Sequence, residues 1–172
     1  MLQVIKALEA EPVGIAHLRR SCPAFVKVVE YDRLPGKGTV ETIFGKSKAL
    51  IVLYEFHDSK HRTEAGKGHY VCLVRRGNGV EYFSSYGLPP GAEISATHSD
   101  ANRFAAILGK NVKINRSKFQ SKYHTATCGR WAFARAVLAD LPLAKFQAYF
   151  GRKLTLGTPD DIIALATIFA IR

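Results

Sequence analysis

The stretch that most constrains this chain is Ala49-Leu50-Ile51-Val52-Leu53-Tyr54, apolar at every position. A strand over residues 48–56 without a polar face cannot lie against water. The pattern therefore predicts a central strand covered on both sides. Residues 25–30 alternate loosely and run into a Pro/Gly turn over 31–36. Residues 69–75 and 80–84 flank Arg76-Gly77-Asn78-Gly79, a strong hairpin signal, and residues 112–115 form a short strand. Helices are predicted over 1–8 and 14–20, separated by Glu11-Pro12, and from the cap Ser99 to Leu108 ahead of Gly109. Another runs from Cys128 to Leu141, and Thr158-Pro159-Asp160-Asp161 opens a last one over 162–171. Residues 57–68 and 116–127 read as polar loops. Helices, then a strand cluster, then mostly helices is an α+β order. A length of 172 residues suits a single domain, 1–172, with a real core.

Charge and cysteine usage narrow the function classes. Lys and Arg number 25 against 14 Asp and Glu, a formal charge of +11 spread along the chain. Such a surplus favours polyanions, nucleic acid first among them, or an acidic partner surface. No apolar run approaches membrane-spanning length, and Glu9, Glu11 and Pro12 interrupt any signal-peptide pattern. The expectation is a protein of a reducing compartment, neither secreted nor membrane-bound. Cys22, Cys72 and Cys128 contain no CxxC pair, and His57 and His61 lack further ligands, which argues against structural zinc. Gly45-Lys46-Ser47 looks like the end of a phosphate loop. Val40 stands where the first glycine of that motif belongs, however, and a strand follows where a helix is needed. It is rejected as a nucleotide site.

One cysteine stands apart. In Thr125-Ala126-Thr127-Cys128-Gly129-Arg130-Trp131, Cys128 opens a helix, where unpaired N–H groups and the positive dipole end favour a thiolate. That yields a nucleophile at neutral pH without a metal. Gly129 leaves the backbone beside the sulfur open to a substrate carbonyl. A cysteine nucleophile also needs a base, a group that holds the base, and donors for the oxyanion. His69 heads a strand just after Gly66-Lys67-Gly68, so its ring can project from a sheet edge into a cleft. The tight turn over 76–79 returns Phe83-Ser84-Ser85-Tyr86-Gly87 and brings Ser84 across from the His69 region. Gln120 lies in the loop ahead of Cys128, with a side-chain amide able to donate to an oxyanion. Cys22 and Cys72 read as structural and Trp131 as core, while His124 sits in a loop that holds it less firmly than a strand holds His69.

Together these residues carry a resemblance. Gly68-His69-Tyr70-Val71, Tyr82-Phe83-Ser84-Ser85-Tyr86-Gly87-Leu88-Pro89, Gln120 and Thr127-Cys128-Gly129 resemble the His … Asp … Gln … Cys series of the adenovirus-type (adenain-like) cysteine proteases. The same clan contains the ubiquitin-like-protein (SUMO) proteases. Asp32-Arg33-Leu34-Pro35 is similar to a segment upstream of the histidine in large-DNA-virus members, so the similarity spans residues 31–141. His before Cys is the informative order, because papain-like enzymes run the other way. The resemblance implies a small central mixed sheet packed against a central helix that begins at the nucleophile, with flanking helices. It implies Cys128 as nucleophile, His69 as general base, and Gln120 with the Cys128 backbone N–H as oxyanion hole. Tyr70 takes the place of the family's usual tryptophan, which roofs a narrow channel for small substrate side chains, and Gly129 joins it as a substrate-binding position. No cofactor or metal is implied, but activation by DNA or a peptide is.

Two departures accompany the resemblance. Ser84 stands at the third-member position, where the family has Asp, Glu or Asn, and the gap from Gln120 to Cys128 is slightly longer than usual. An acid at that place fixes the imidazole tautomer and stabilises imidazolium by roughly 1–3 kcal/mol. A serine hydroxyl accepts the same N–H but brings no charge. Glu81 is the nearest alternative acid, yet strand alternation sends residues 81, 83 and 85 to the face opposite Ser84. Cysteine enzymes start from a thiolate–imidazolium pair and tolerate a weak third member. Three readings follow. The first is a viral maturation endopeptidase that cuts capsid or core precursors in the virion, or in the host nucleus or cytoplasm, with non-specific DNA as a partner. The second is a ubiquitin-like-modifier protease of the same clan. The third is a catalytically impaired domain that binds nucleic acid or protein, which Ser84 favours. The +11 charge and the small size favour the first.

Overall fold

In the computed structural model, which describes residues 2–56, 68–97, 104, 107–121, 125–151 and 157–171, the apolar run forms strand β2 (Ala49–Glu55). Every residue from Ala49 to Tyr54 is fully buried, as a strand without a polar face requires. β2 lies second in a five-stranded mixed sheet of order β1-β2-β3-β4-β5. Its companions are β1 (Val26–Glu30), β3 (Gly68–Arg76), β4 (Gly79–Ser84) and β5 (Val112–Ile114). β1–β2 and β4–β5 are parallel, while β2–β3 and β3–β4 are antiparallel. The β1–β2 crossover contains a 3-10 turn, Tyr31–Arg33, and helix α3 (Val40–Phe44), whose Thr39–Thr42 capping box satisfies its first donors. Two further helices, α1 (Leu2–Ala10) and α2 (Ile15–Ser21), precede the sheet. The architecture is α+β.

Alternation along the strands gives the sheet a core on each face. Ile51, Cys72, Val74 and Phe83 pack with Trp131, Phe146 and Phe150 from helices α5 (Cys128–Val137) and α6 (Leu143–Phe150). Leu50, Val52, Val71 and Tyr82 face the other way, against Tyr31, Phe44, Phe104 and Ile94 of helix α4 (Pro90–Thr97). Each large apolar side chain buried this fully stabilises the fold by about 1.5–3 kcal/mol. Helix α7 (Pro159–Thr167) starts from a Thr158–Asp161 capping box and packs on α1 and α5. A buried charge network joins β4 to α5 and α6. The Arg135 guanidinium donates to Glu81 Oε2 at 2.6 Å, Arg76 Nε to the same oxygen at 2.9 Å, and the Leu143 N–H to Glu81 Oε1 at 3.0 Å. Glu81 is therefore committed to the helix junction, on the face opposite Ser84.

Several boundaries differ from expectation. The Cys128 helix stops at Val137, with turns onward to 141, and the last helix covers 159–167 rather than 162–171. Residues 99–103, 105 and 106 of the expected Ser99 helix and residues 57–67 of the expected loop lie outside the described residues, while Phe104, Ile107 and Leu108 are helical. Helices α3, α4 and α6 form where no helix was expected. α4 begins at Pro90, inside a Pro-Pro-Gly cluster that reads as a turn, yet proline suits the first helical position because its missing N–H would be unpaired there. Among the described residues no helix is long and apolar enough to cross a membrane.

Candidate active site

α5 begins at Cys128, so the first N–H groups of the helix have no acceptor within it; Trp131 N–H bonds back to Thr127 O at 2.9 Å. His69, only 4% exposed, is the second residue of β3. Its place depends on Gly68, where a Cβ would fall 1.8 Å from the Tyr54 carbonyl oxygen on β2. The imidazole lies close enough to the Cys128 thiol for each to shift the titration of the other. Burial opposes charge on both groups, but each stabilises the other. Against the burial of Cys128 stand the hydrogen bond and charge of His69 and the backbone N–H groups of Tyr70 and Gly129, which together bring the thiol below its ordinary pKa. Against the burial of His69 stand Cys128 and Glu93, which raise the imidazole to about 9. Each group thus favours the charged form of the other.

Ser84 is fully buried and opposes Val71 in the β3–β4 register, so it shares the His69 face of the sheet. Its Oγ lies 3.3 Å from His69 Nε2. The same hydroxyl donates to Glu93 Oε1 and accepts the Tyr86 N–H at 3.2 Å. Glu93 Oε1 is itself 3.4 Å from His69 Nε2. On the far side the Tyr86 ring stacks on the imidazole, with centroids 4.5 Å apart and planes 20° from parallel. Glu93, in the first turn of α4, is the carboxylate that strand-based reasoning misses. The signal that could have found it is Pro90 at a helix start with an acid three residues later.

The residue after Ser84 holds the other half of the site. Ser85 Oγ donates to Gln120 Oε1 at 2.6 Å, and the Ser85 carbonyl accepts the N–H groups of Phe119 at 2.8 Å and Gln120 at 3.0 Å. Gln120 Nε2 gives one proton to Thr125 O at 3.0 Å, and among the described residues its second N–H has no acceptor. Asn115 fastens this strand end. It accepts the Ser84 N–H at 2.8 Å and donates to Ser84 O at 2.7 Å and Ser117 O at 3.0 Å. Asp160 fastens the loop, taking the Ser121 N–H at 2.9 Å, the Thr125 hydroxyl at 3.0 Å and the Thr127 hydroxyl. Beside Gln120 a cavity of about 700 Å³ is lined by Lys6, Glu9, Lys118, Thr125 and Asp160.

Gly129 departs from the expectation of an open backbone. It is buried, and a Cβ there would meet Val13 Cβ at 3.1 Å and Tyr70 Cδ2 at 3.3 Å. The missing side chain makes room for protein atoms rather than for an incoming carbonyl. Tyr70 thus lies across the start of α5, on the face opposite His69, and its buried hydroxyl has no hydrogen-bond partner among the described residues. Cys72 and Cys22 are free thiols that burial pushes up to about 12 and about 11. Trp131 is core. His57, His61 and His124 lie outside the described residues.

Comparison with known proteins gives likenesses in sequence and in fold. No protein-family model matches the chain. A protein of Sputnik virophage, named uncharacterized protein V9, is 26% identical over 157 residues, 83% of this chain and 86% of that one. The solved structure of ChlaDub1 from Chlamydia trachomatis superposes with a TM-score of 0.44 at 16% identity, over 98% of this chain and 76% of that one. At these values the functional reading rests on the geometry of the site.

Proposed function

We propose that the protein is a cysteine endopeptidase of the adenain-like type, with Cys128 as nucleophile and His69 as its acid–base partner. The observation that carries this reading is the placement of the buried His69 beside Cys128 at the start of α5, where each group favours the charged form of the other. The thiolate attacks the scissile carbonyl carbon, and the oxyanion that forms accepts hydrogen bonds from the second Gln120 side-chain N–H and the Cys128 backbone N–H. The imidazolium then protonates the departing amine, leaving a thioester and a neutral ring. That ring takes a proton from water, the hydroxide attacks the thioester, and the acid product leaves. Tyr70 roofs the channel beside the sulfur, a role supported by the contact of its ring with the Gly129 position at the start of α5. Precursor proteins of a virus are the proposed substrates, a choice supported by the likeness to a virophage protein. The charge of +11 supports non-specific DNA as a partner, whose affinity would fall steeply with salt.

The test is cleavage of extended polypeptide substrates by the wild type, Cys128→Ala and His69→Ala. The wild type should cut internal peptide bonds, and each variant should lose that activity while still unfolding cooperatively. Release of ubiquitin-like modifiers without cuts in extended chains would assign the modifier-protease reading instead. Cleavage by neither route would assign the binding-domain reading.

A further inference from the structure

We propose that Glu93 of α4 is the charged positioning residue for His69, acting on Nε2 both directly and through the Ser84 hydroxyl. This deepens the peptidase reading and rests on Cys128 and His69 being the reacting pair. Proton accounting around Ser84 carries the inference. Its single hydroxyl proton is given to Glu93 Oε1, and one lone pair accepts the Tyr86 N–H. What remains toward His69 Nε2, at 3.3 Å, is a lone pair. Glu93 Oε1, at 3.4 Å from the same nitrogen, is also an acceptor. Nε2 therefore carries a proton in the neutral ring as well as in the imidazolium, and Nδ1 is the nitrogen that exchanges a proton with the thiol. Ser84 alone would be ambiguous, since a hydroxyl can donate or accept. Glu93 removes the ambiguity by claiming the proton, and it adds the negative charge that a serine lacks.

Other groups around the ring do not supply that charge. Among the described residues the titratable neighbours are Cys128 from α5, Glu93 from α4, Tyr86 beyond β4, and Tyr54, the register partner of His69 on β2. Burial holds both tyrosines neutral, Tyr86 at about 12 and Tyr54 well above the ordinary value. Glu55 stands opposite Gly68, one position off, and so belongs to the Tyr70 face. The acid has thus moved from the strand to a helix, with a serine left in the strand as its relay.

The test reads the thiolate by alkylation, which needs no peptide cleavage and so fails independently of the peptidase assignment. Iodoacetamide modification of Cys128 is followed against pH by mass spectrometry in the wild type, Glu93→Gln, Ser84→Ala, and Ser84→Asp combined with Glu93→Gln. Removing the Glu93 charge weakens the imidazolium, so the pH of half-maximal modification should rise by about one unit, a tenfold drop in rate on the acid side. Ser84→Ala should move it less, and Ser84→Asp in the Glu93→Gln background should bring it back down. A wild-type midpoint in folded Glu93→Gln would overturn the proposal. If Glu93→Gln does not fold, the wild type still decides by nitrogen NMR of labelled histidine above the imidazole transition. A proton on Nε2 of His69 supports the proposal, and a proton on Nδ1 overturns it.

Discussion

Trp131 Nε1 donates to Asp160 Oδ1 at 3.0 Å, tying the helix that starts at Cys128 to the first turn of α7. The same carboxylate holds Ser121, Thr125 and Thr127. One buried acid thus sets the position of the loop between Gln120 and Cys128, and with it the spacing of the oxyanion donors from the nucleophile.

Asp160→Ala should cost stability and activity together. Trp131 Nε1 and the Thr127 hydroxyl would be left as buried donors without acceptors, each costing about 1–3 kcal/mol. Urea denaturation should show a loss of about 2–6 kcal/mol, and cleavage should fall further than the folded fraction does, because the Gln120–Cys128 loop loosens.

The imidazole titration has a definite sign. Burial lowers the His69 pKa, and the hydrogen bonds and charges of Cys128 and Glu93 raise it to about 9. In Cys128→Ala the thiolate's contributions vanish, so the His69 titration followed by proton NMR should move down from about 9. In the wild type, loss of the imidazolium proton should set the alkaline limb of the activity profile near the same value, while the lowered thiol sets the acid limb below the ordinary cysteine range. The stability that the raised imidazole contributes is complete below the ordinary histidine value and is lost as pH rises through about 9.

Gly68→Ala tests how closely β2 and β3 must approach beside the base. A methyl group 1.8 Å from the Tyr54 carbonyl oxygen cannot be accommodated without moving backbone. Calorimetry should show a loss of about 1–3 kcal/mol, accompanied by displacement of His69 and slower Cys128 alkylation. The neighbouring glycine of the hairpin, Gly77, has open space around its Cβ position, and alanine there tests only its left-handed backbone.

Much of the site was legible because it lies on short-range patterns. An all-apolar run had to be a central strand, a tight hairpin had to return Ser84 toward His69, and a cysteine between a polar loop and an apolar helix had to sit at a helix start. What was not legible depends on tertiary contact. Glu93 reaches His69 only because α4 folds back over the sheet, and its start is masked by Pro89-Pro90-Gly91. In the sequence Asp160 belongs to a helix start, whereas its partners lie at positions 121 to 131. Gly129 looked like open backbone because Val13 and the Tyr70 ring, which fill the space, come from distant segments. Helix α6 has a short-range signal of its own: Leu143, Phe146 and Phe150 carry helical spacing, and all are buried.

The most direct measurement is covalent capture with a thiol-directed peptide aldehyde or vinyl sulfone at neutral pH, read residue by residue by mass spectrometry. Cys128 alone should be modified, since burial holds the thiols of Cys22 and Cys72 up at about 11 and about 12, and His69→Ala should abolish the modification. Equal labelling of Cys22 or Cys72, or labelling of Cys128 that survives the loss of His69, would contradict a thiolate–imidazolium peptidase.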